Sequence, residues 1–214
     1  MTPTTPKATG FYERWIVPPL VGLVCGLPII TAQRRRVVPE AEGVVLEIGI
    51  GSGLNLRHYD PGRVRRVIGV DPNPGMLAFG EAKRRKVPFE VELLQQSAES
   101  IALDAGIADT AVVTYTLCSV PQAQAALGEV RRILKPGGRV LVCEHGRSRT
   151  AWKARWQDRL NPAWRTLAGG CNINRDVERL LLDTGFAIER LETYPLRFVP
   201  EIVGFHYVGS ARPR

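Results

Sequence analysis

Short runs of apolar, largely β-branched residues recur along the chain, and most are separated by segments whose apolar positions fall at helical spacing. Runs at Val44–Ile48, Arg66–Val70, Thr110–Leu117 and Arg139–Glu144 read as strands, continuous and apolar as buried parallel strands are, and Val87–Gln95 alternates enough to be a further strand. Between them, the pattern predicts a short helix over Leu54–Tyr59, a longer one from Pro72 to about Lys86 with Met76 and Phe79 facing inward, and a third over Ala123–Leu134. Gly146–Ile173 breaks the alternation. It carries Trp152, Trp156 and Trp164, the first two placed four apart and so on one helix face. Asn174 is placed to cap a last helix, Arg175–Thr184, ended by Gly185, and Phe186–Leu196 and Ile202–Ala211 form a closing pair of strands. Repeated strand–helix units of this kind predict an α/β protein: a doubly wound, mostly parallel seven-stranded sheet with an antiparallel edge strand, one domain over residues 1–214.

The first of these runs leads into chemistry. Val44 to Asn55 reads VVLEIGIGSGLN, with Glu47 two residues before Gly49 and further glycines at Gly51 and Gly53. Such a loop turns the chain sharply and leaves backbone N–H groups open to a ligand. Asp71 closes the next apolar run, about twenty residues on, where a carboxylate can accept from both hydroxyls of a ribose. The dinucleotide fingerprint needs its third glycine where this chain has Leu54. The carboxylate of Glu47 would repel a pyrophosphate but suits the ammonium and sulfonium of S-adenosylmethionine (SAM).

Composition narrows the partners. With 44% hydrophobic and 23% charged residues the chain is of ordinary globular type, and 214 residues suffice to bury a core. A net charge of +8 allows an anionic partner, yet the longest basic run is Arg34-Arg35-Arg36 and no basic, aromatic-interleaved repeat occurs, which argues against nucleic acid. Cys25, Cys118, Cys143 and Cys171 are far apart and form no CxxC or Cys/His ligand pair; free thiols in a reducing cytoplasm, and no metal, are expected. The Thr/Pro-rich first ten residues read as disordered. Phe11–Val38 is apolar but interrupted by Pro18, Pro19 and Pro28, and its longest uncharged stretch runs from Trp15 to Gln33. Residues 1–40 are therefore read as a lid packed over the cofactor pocket, the alternative being a peripheral membrane anchor with Arg34–Arg36 on anionic headgroups.

The set VLEIGIGSGLN, VIGVDPNPGM, QSAES, TLCSV and LKPGGRVLVCEHG resembles the class I SAM-dependent methyltransferases of Rossmann-like fold, nearest the ubiquinone/menaquinone-type subgroup. TLCSV, EHG, WKARWQDRLNPAW and GCNINRD are similar, more narrowly, to the methyltransferase-like thiol S-methyltransferases and their bacterial relatives. The resemblance implies SAM as donor and S-adenosylhomocysteine as product. It implies that Glu47 and the backbone at Gly49, Ile50, Gly51 and Gly53 hold the methionine moiety, and that Asp71 accepts from the ribose. Pro72 and Met76 would line the adenosine pocket, Ala98 and Glu99 the adenine edge, and Thr116 and Leu117 the floor beneath the sulfonium.

Methyl transfer is an in-line displacement, so positioning and water exclusion carry most of the rate. His145, just past the fifth strand, is the best-placed proton acceptor for a thiol substrate, and a backbone-bonding strand-end histidine is the alternative. Trp152, Trp156 and Trp164 are candidates for the wall of a substrate pocket within a cap over residues 146–173; plain core is the alternative. Asn172 and Arg175 are expected to fix the lid and to reach the substrate, and Tyr12 is a weaker candidate for closing over the methionine carboxylate. The expected reaction is methylation of a small, fairly apolar acceptor, a thiol first. N- or C-methylation of a phospholipid or quinone precursor is the alternative, ahead of a nicotinamide-dependent reductase or a non-catalytic SAM-binding module.

Overall fold

The computed structural model describes residues 25–214. The expectations for the first ten residues, for Tyr12 and for the apolar segment before Cys25 lie outside the described residues. Seven strands form one sheet: β1 (Gly43–Ile48), β2 (Val64–Val70), β3 (Glu90–Leu94), β4 (Ala108–Thr114), β5 (Leu134–His145), β6 (Phe186–Pro195) and β7 (Phe205–Pro213). Their order is β3-β2-β1-β4-β5-β7-β6. β1 pairs in parallel with both β2 and β4, and the other pairs among β1–β5 are parallel too. The antiparallel edge takes the form of β7 slotted between β5 and β6. The order reverses between β1 and β4, so a crevice opens beyond the carboxyl ends of these central strands.

Helices α1 (Pro28–Arg34), α2 (Pro74–Arg84), α3 (Ala123–Ile133), α4 (Ala151–Leu167), α5 (Val177–Asp183) and α6 (Glu201–Gly204), with single 3₁₀ turns at Val38–Glu40 and Leu56–His58, complete the described elements. Alternate residues of β1 serve two cores, one on each face of the sheet. Leu46 and Ile48 join Val113, Leu127 and Val130 on one face, while Val45 joins Leu56, Tyr59 and Val112 on the other. Burying side chains of this size stabilises the fold by about 1.5–3 kcal/mol each.

Several boundaries differ from the sequence pattern, each for a local reason. β4 stops at Thr114 because Tyr115 takes a positive φ of 53°, which no strand continues. β5 starts at Leu134, so the turn residues Lys135–Gly138 are part of the strand's irregular beginning, where its register against β4 shifts. The last helix is capped by Asp176, whose side chain accepts from Arg179 N, and Asn174 instead donates to Asp158. Phe79 does not face inward; it is 57% exposed. Gly80 sets the packed face of α2, lying 3.0 Å from the Gly51 carbonyl at the position a Cβ would take, which turns Phe79 outward.

Candidate active site

At the end of β1 the glycine loop is shaped by close approach. Gly49 has φ +68°, and a Cβ there would sit 2.2 Å from Thr116 Oγ1, so only glycine lets the loop pack against the segment after β4. Gly49 N and Ile50 N both donate to Val70 O, at 2.8 and 3.2 Å, tying the loop to the end of β2. The next N–H, on Gly51, donates to Asp71 Oδ2 at 3.1 Å, while Asp71 Oδ1 accepts from Asn73 N at 2.8 Å. A Cβ on Gly51 would meet Met76 Cε at 3.1 Å and Asp71 Oδ2 at 3.7 Å. Gly51, Asp71 and Met76 therefore bound one small space. Burial raises the Asp71 carboxyl, against the two backbone N–H groups that lower it.

Glu47 is 2% exposed and lies on the sheet face of Tyr59. Its two oxygens accept from Tyr59 OH at 2.7 Å and Asn55 Nδ2 at 3.0 Å. Arg34 reaches in from α1 and donates to Asn55 Oδ1 at 3.0 Å and Thr114 Oγ1 at 2.5 Å. Burial nevertheless pushes Glu47 up to about 7. Arg34 is thus buried in the crevice, Arg36 pairs with Glu192 and Tyr194, and Arg35 is exposed, so the three cations do not share one surface. Among the described residues no helix is long and apolar enough to cross a membrane.

Across the crevice, Thr116 Oγ1 donates to Ile48 O at 3.0 Å, and the N–H groups of Thr116 and Leu117 converge on Glu144 Oε1 at 2.7 and 3.0 Å. Glu144 is fully buried on β5, its other oxygen is unpartnered, and burial pushes it up to about 7. Ala98 is buried, Pro72 is exposed, and Glu99 accepts from Ser97 Oγ at 2.5 Å and Gln122 N at 2.7 Å.

Beyond this floor, three side chains that are distant in sequence meet. His145 Nε2 lies 3.2 Å from Cys171 Sγ, and the ligand atoms of Cys118, His145 and Cys171 are all within 4.8 Å of one another. The expectation that no Cys/His set forms is therefore overturned in space, although all four cysteines are free. The Cys118 thiol donating to Cys171, with His145 alongside, lowers Cys171 and raises Cys118. Burial lowers His145, but contact with Cys171 outweighs it and the net shift is upward. Its Nδ1 is buried without a partner, so the ring is not the backbone-bonding strand end that sequence left open.

Asn172 and Arg175 clamp the same segment. Asn172 N and Nδ2 both donate to Cys118 O at 2.8 Å, and Asn172 Oδ1 accepts from Asn161. Arg175 donates to Leu117 O and, at 3.4 Å, to Pro121 O. The Asn172 amide is engaged through both its nitrogen and its oxygen, which ties Asn161, Gly170 and Cys118 together. The inward side of α4 is marked by Ala154 and by Gln157, whose amide nitrogen serves the carbonyls of Gly146, Ile173 and Ile202. Trp152 and Trp156 lie on the opposite side, 55% and 46% exposed, under Lys153 and Arg159. Trp164 turns inward, its Nε1 buried.

Comparison with known proteins accords with this geometry. A profile described as a methyltransferase domain matches residues 46–142. Human thiol S-methyltransferase TMT1A is 33% identical over 177 residues, 81% of this chain and 72% of its own. The chain belongs to the class I SAM-dependent methyltransferases. A ubiquinone/menaquinone biosynthesis C-methyltransferase of Syntrophotalea carbinolica is 42% identical over 113 residues, 51% of this chain and 47% of its own. A solved SAM-dependent methyltransferase of Thermotoga maritima, described as a possible histamine N-methyltransferase, shares the fold with TM-score 0.66 at 21% identity over 95% of this chain and 98% of that one.

The family and fold imply use of SAM, and this methyltransferase's residues fit it. The space bounded by Gly51, Asp71 and Met76 would be closed by a Cβ, and the Asp71 oxygens keep lone pairs beyond their single backbone bonds. Sequence reasoning missed Arg34, Asn55, Tyr59 and Glu144. Glu144 had a readable signal, an acid closing an apolar strand on the ligand edge of the sheet; the other three are brought in only by packing.

Proposed function

We propose that the chain transfers the methyl group of SAM to the sulfur of a small, fairly apolar thiol. The donor half rests on one observation: the N–H of Gly51, the carboxylate of Asp71 and the methyl of Met76 border a single space that a side chain on Gly51 would fill. The acceptor half is supported by the likeness to human thiol S-methyltransferase TMT1A. When bound, SAM supplies an electrophilic methyl on a sulfonium. Asp71 would accept from the ribose hydroxyls, and Glu47 with the backbone at Gly49, Ile50, Gly51 and Gly53 would hold the methionine moiety. Pro72 and Met76 would line the adenosine, Ala98 and Glu99 the adenine edge, and Thr116 and Leu117 the floor under the sulfonium.

This chain's own residues then do three things. Glu144, by accepting both the Thr116 and Leu117 N–H groups, holds that floor in one conformation against the strained Tyr115. Arg34, drawn in by Asn55 and Thr114, closes the crevice beside Glu47 and excludes water. His145, beside Cys171, promotes loss of the acceptor's thiol proton, since the thiolate is the nucleophile.

N- or C-methylation of a quinone precursor or phospholipid is the second reading, favoured by the 42% identity to the quinone C-methyltransferase over half of the chain. Incubating the protein with labelled SAM and a panel of thiols, amines and quinols separates them. Thioether formation is the expected result; methylated amine or quinol without thioether sinks the thiol reading. Asp71→Ala is expected to weaken SAM binding by calorimetry by roughly ten- to a hundredfold, from the loss of about 1.5–3 kcal/mol of hydrogen bonds to a charged group. Unchanged affinity in that variant would remove the donor site itself.

A further inference from the structure

We propose that Cys118 Sγ, His145 Nε2 and Cys171 Sγ hold one thiophilic divalent cation of the zinc class, whose fourth position takes the acceptor thiol. This rests on the thiol reading above and specifies how the acceptor sulfur is bound.

The ligand set is the first reason. Two cysteines and one histidine on a zinc-class ion make a three-ligand site with an open position, the pattern of catalytic rather than structural zinc. Their ligand atoms come from three segments (the loop after β4, the end of β5 and the loop before α5) yet all lie within 4.8 Å of one another. A tetrahedral ion with bonds of about 2.0–2.3 Å sets its ligand atoms about 3.3–3.8 Å apart, inside that bound.

Preorganisation is the second. Two donors of Asn172, the residue next to Cys171, both bond the Cys118 carbonyl at 2.8 Å, so the backbones carrying the two sulfurs are stapled together. Arg175 fixes Leu117 O, next to Cys118. The indole N–H of Trp164, on the helix between His145 and Cys171, is buried without a hydrogen-bond partner. Catalysis needs none of this from a pair of buried thiols acting as small hydrophobes.

Position is the third. Cys118 directly follows Leu117, and β4 lies beside β1 in the sheet, so the group stands at the carboxyl edge next to the glycine loop. Charge agrees with position: two thiolates and a neutral imidazole balance a divalent cation in a buried place already holding Glu144. On coordination the acceptor R–SH gives its proton to solvent and binds as thiolate, so His145 promotes that loss as a ligand of the cation. A lone pair on that sulfur then forms the new S–CH3 bond as the methyl–sulfonium bond of the donor breaks. That bond's electron pair stays on the donor sulfur, and the thioether, a weaker ligand, leaves.

The test uses the full chain, reduced and stripped with a chelator, titrated with Co2+ as the probe. The expected result is thiolate-to-cobalt charge-transfer absorption with intense ligand-field bands of a tetrahedral site, saturating at about one equivalent. Cys171→Ser and His145→Ala are each expected to abolish or strongly shift these bands while circular dichroism shows the fold retained; Cys143→Ala, outside the group, leaves them. A small alkyl thiol is expected to shift the bands by entering the fourth position. Absence of thiolate bands in folded, reduced protein overturns the site, as do bands that survive Cys171→Ser. Bands indifferent to thiol overturn the open position. Thiol methylation by protein that takes up no cobalt removes the cation and leaves the proposed function standing; cobalt uptake with thiol-sensitive bands but no thioether product removes that function and leaves the site.

Discussion

The two banks of the crevice are built in different ways. On the β1–β2 bank, the groups proposed for the donor are backbone N–H groups and two acids, Glu47 and Asp71, and they lie within a short piece of chain from Glu47 to Met76. On the β4–β5 bank, Cys118, Glu144, His145, Cys171 and Arg175 come from segments far apart in sequence and are held by side-chain bonds to backbone carbonyls and N–H groups. The first bank depends on what is missing from the chain, side chains at Gly49 and Gly51. The second depends on long-range polar contacts that exist only once the sheet is closed. A donor site can therefore be read from local spacing, whereas the acceptor side has to be found in space.

Breaking the first bank should have the largest effect. Gly49→Ala puts a Cβ 2.2 Å from Thr116 Oγ1 at a φ of +68°, so overpacking and left-handed strain act together. A loss of about 3–5 kcal/mol is expected, read as a fall in the denaturation midpoint, with SAM affinity lost as well. Arg34→Met tests the bridge between α1 and the crevice. It strips a donor from buried Asn55 Oδ1 and Thr114 Oγ1, and about 1–3 kcal/mol of stability should go with it. A variant as stable as the parent would mean that Arg34 is only covering the site.

The acids offer a finer comparison. Burial holds Glu47 at about 7, so acidification through that value protonates the group placed to face the cationic donor. SAM affinity by calorimetry should fall as pH drops below about 7, by up to about tenfold per unit, and a Glu47→Gln variant should lose this slope. The stability effect has the opposite sense. Glu144 also titrates near 7 when folded, against an ordinary value of 4.5, so the folded state binds its proton more tightly than the unfolded chain does. Its contribution is present below about 4.5 and is lost as pH rises toward 7, and Glu144→Gln should gain on the parent across that window in parallel unfolding curves. Smallest is Trp152→Ala on the exposed side of α4, expected to change stability by no more than about 0.5 kcal/mol. A raised KM for thiols in that variant would restore Trp152 to the substrate pocket; an unchanged KM would leave Trp164 as the tryptophan that serves the site.

Much of this was legible along the chain, for reasons that particular residues make clear. Continuous apolar runs marked β1, β2 and β4 because strands covered on both faces need no alternation. Gly49, Gly51 and Asp71 were legible because their partners are each other. Phe79 misled because helical periodicity tells which residues share a face, and here the Gly80 contact with Gly51 chose the other face. Asn174 misled because Asp176 offered the same capping chemistry two residues later. Arg34 looked like one of three surface cations, and nothing local distinguishes it from Arg35; only Asn55 and Thr114, brought together by the sheet, draw it inside.

Sequence alone determined the strand–helix alternation, the glycine-lined turn and the acid one strand over, since these follow from short-range sterics and from the period of apolar positions. Tertiary structure decided that the antiparallel member enters between β5 and β6, that Glu144 props the floor of the crevice, and that Cys118, His145 and Cys171 share one place. The physical reason is range. Backbone conformation and side-chain period are set within a few residues, whereas the meeting of two thiols and an imidazole is set by which strands pair and by the loops stapled across their ends.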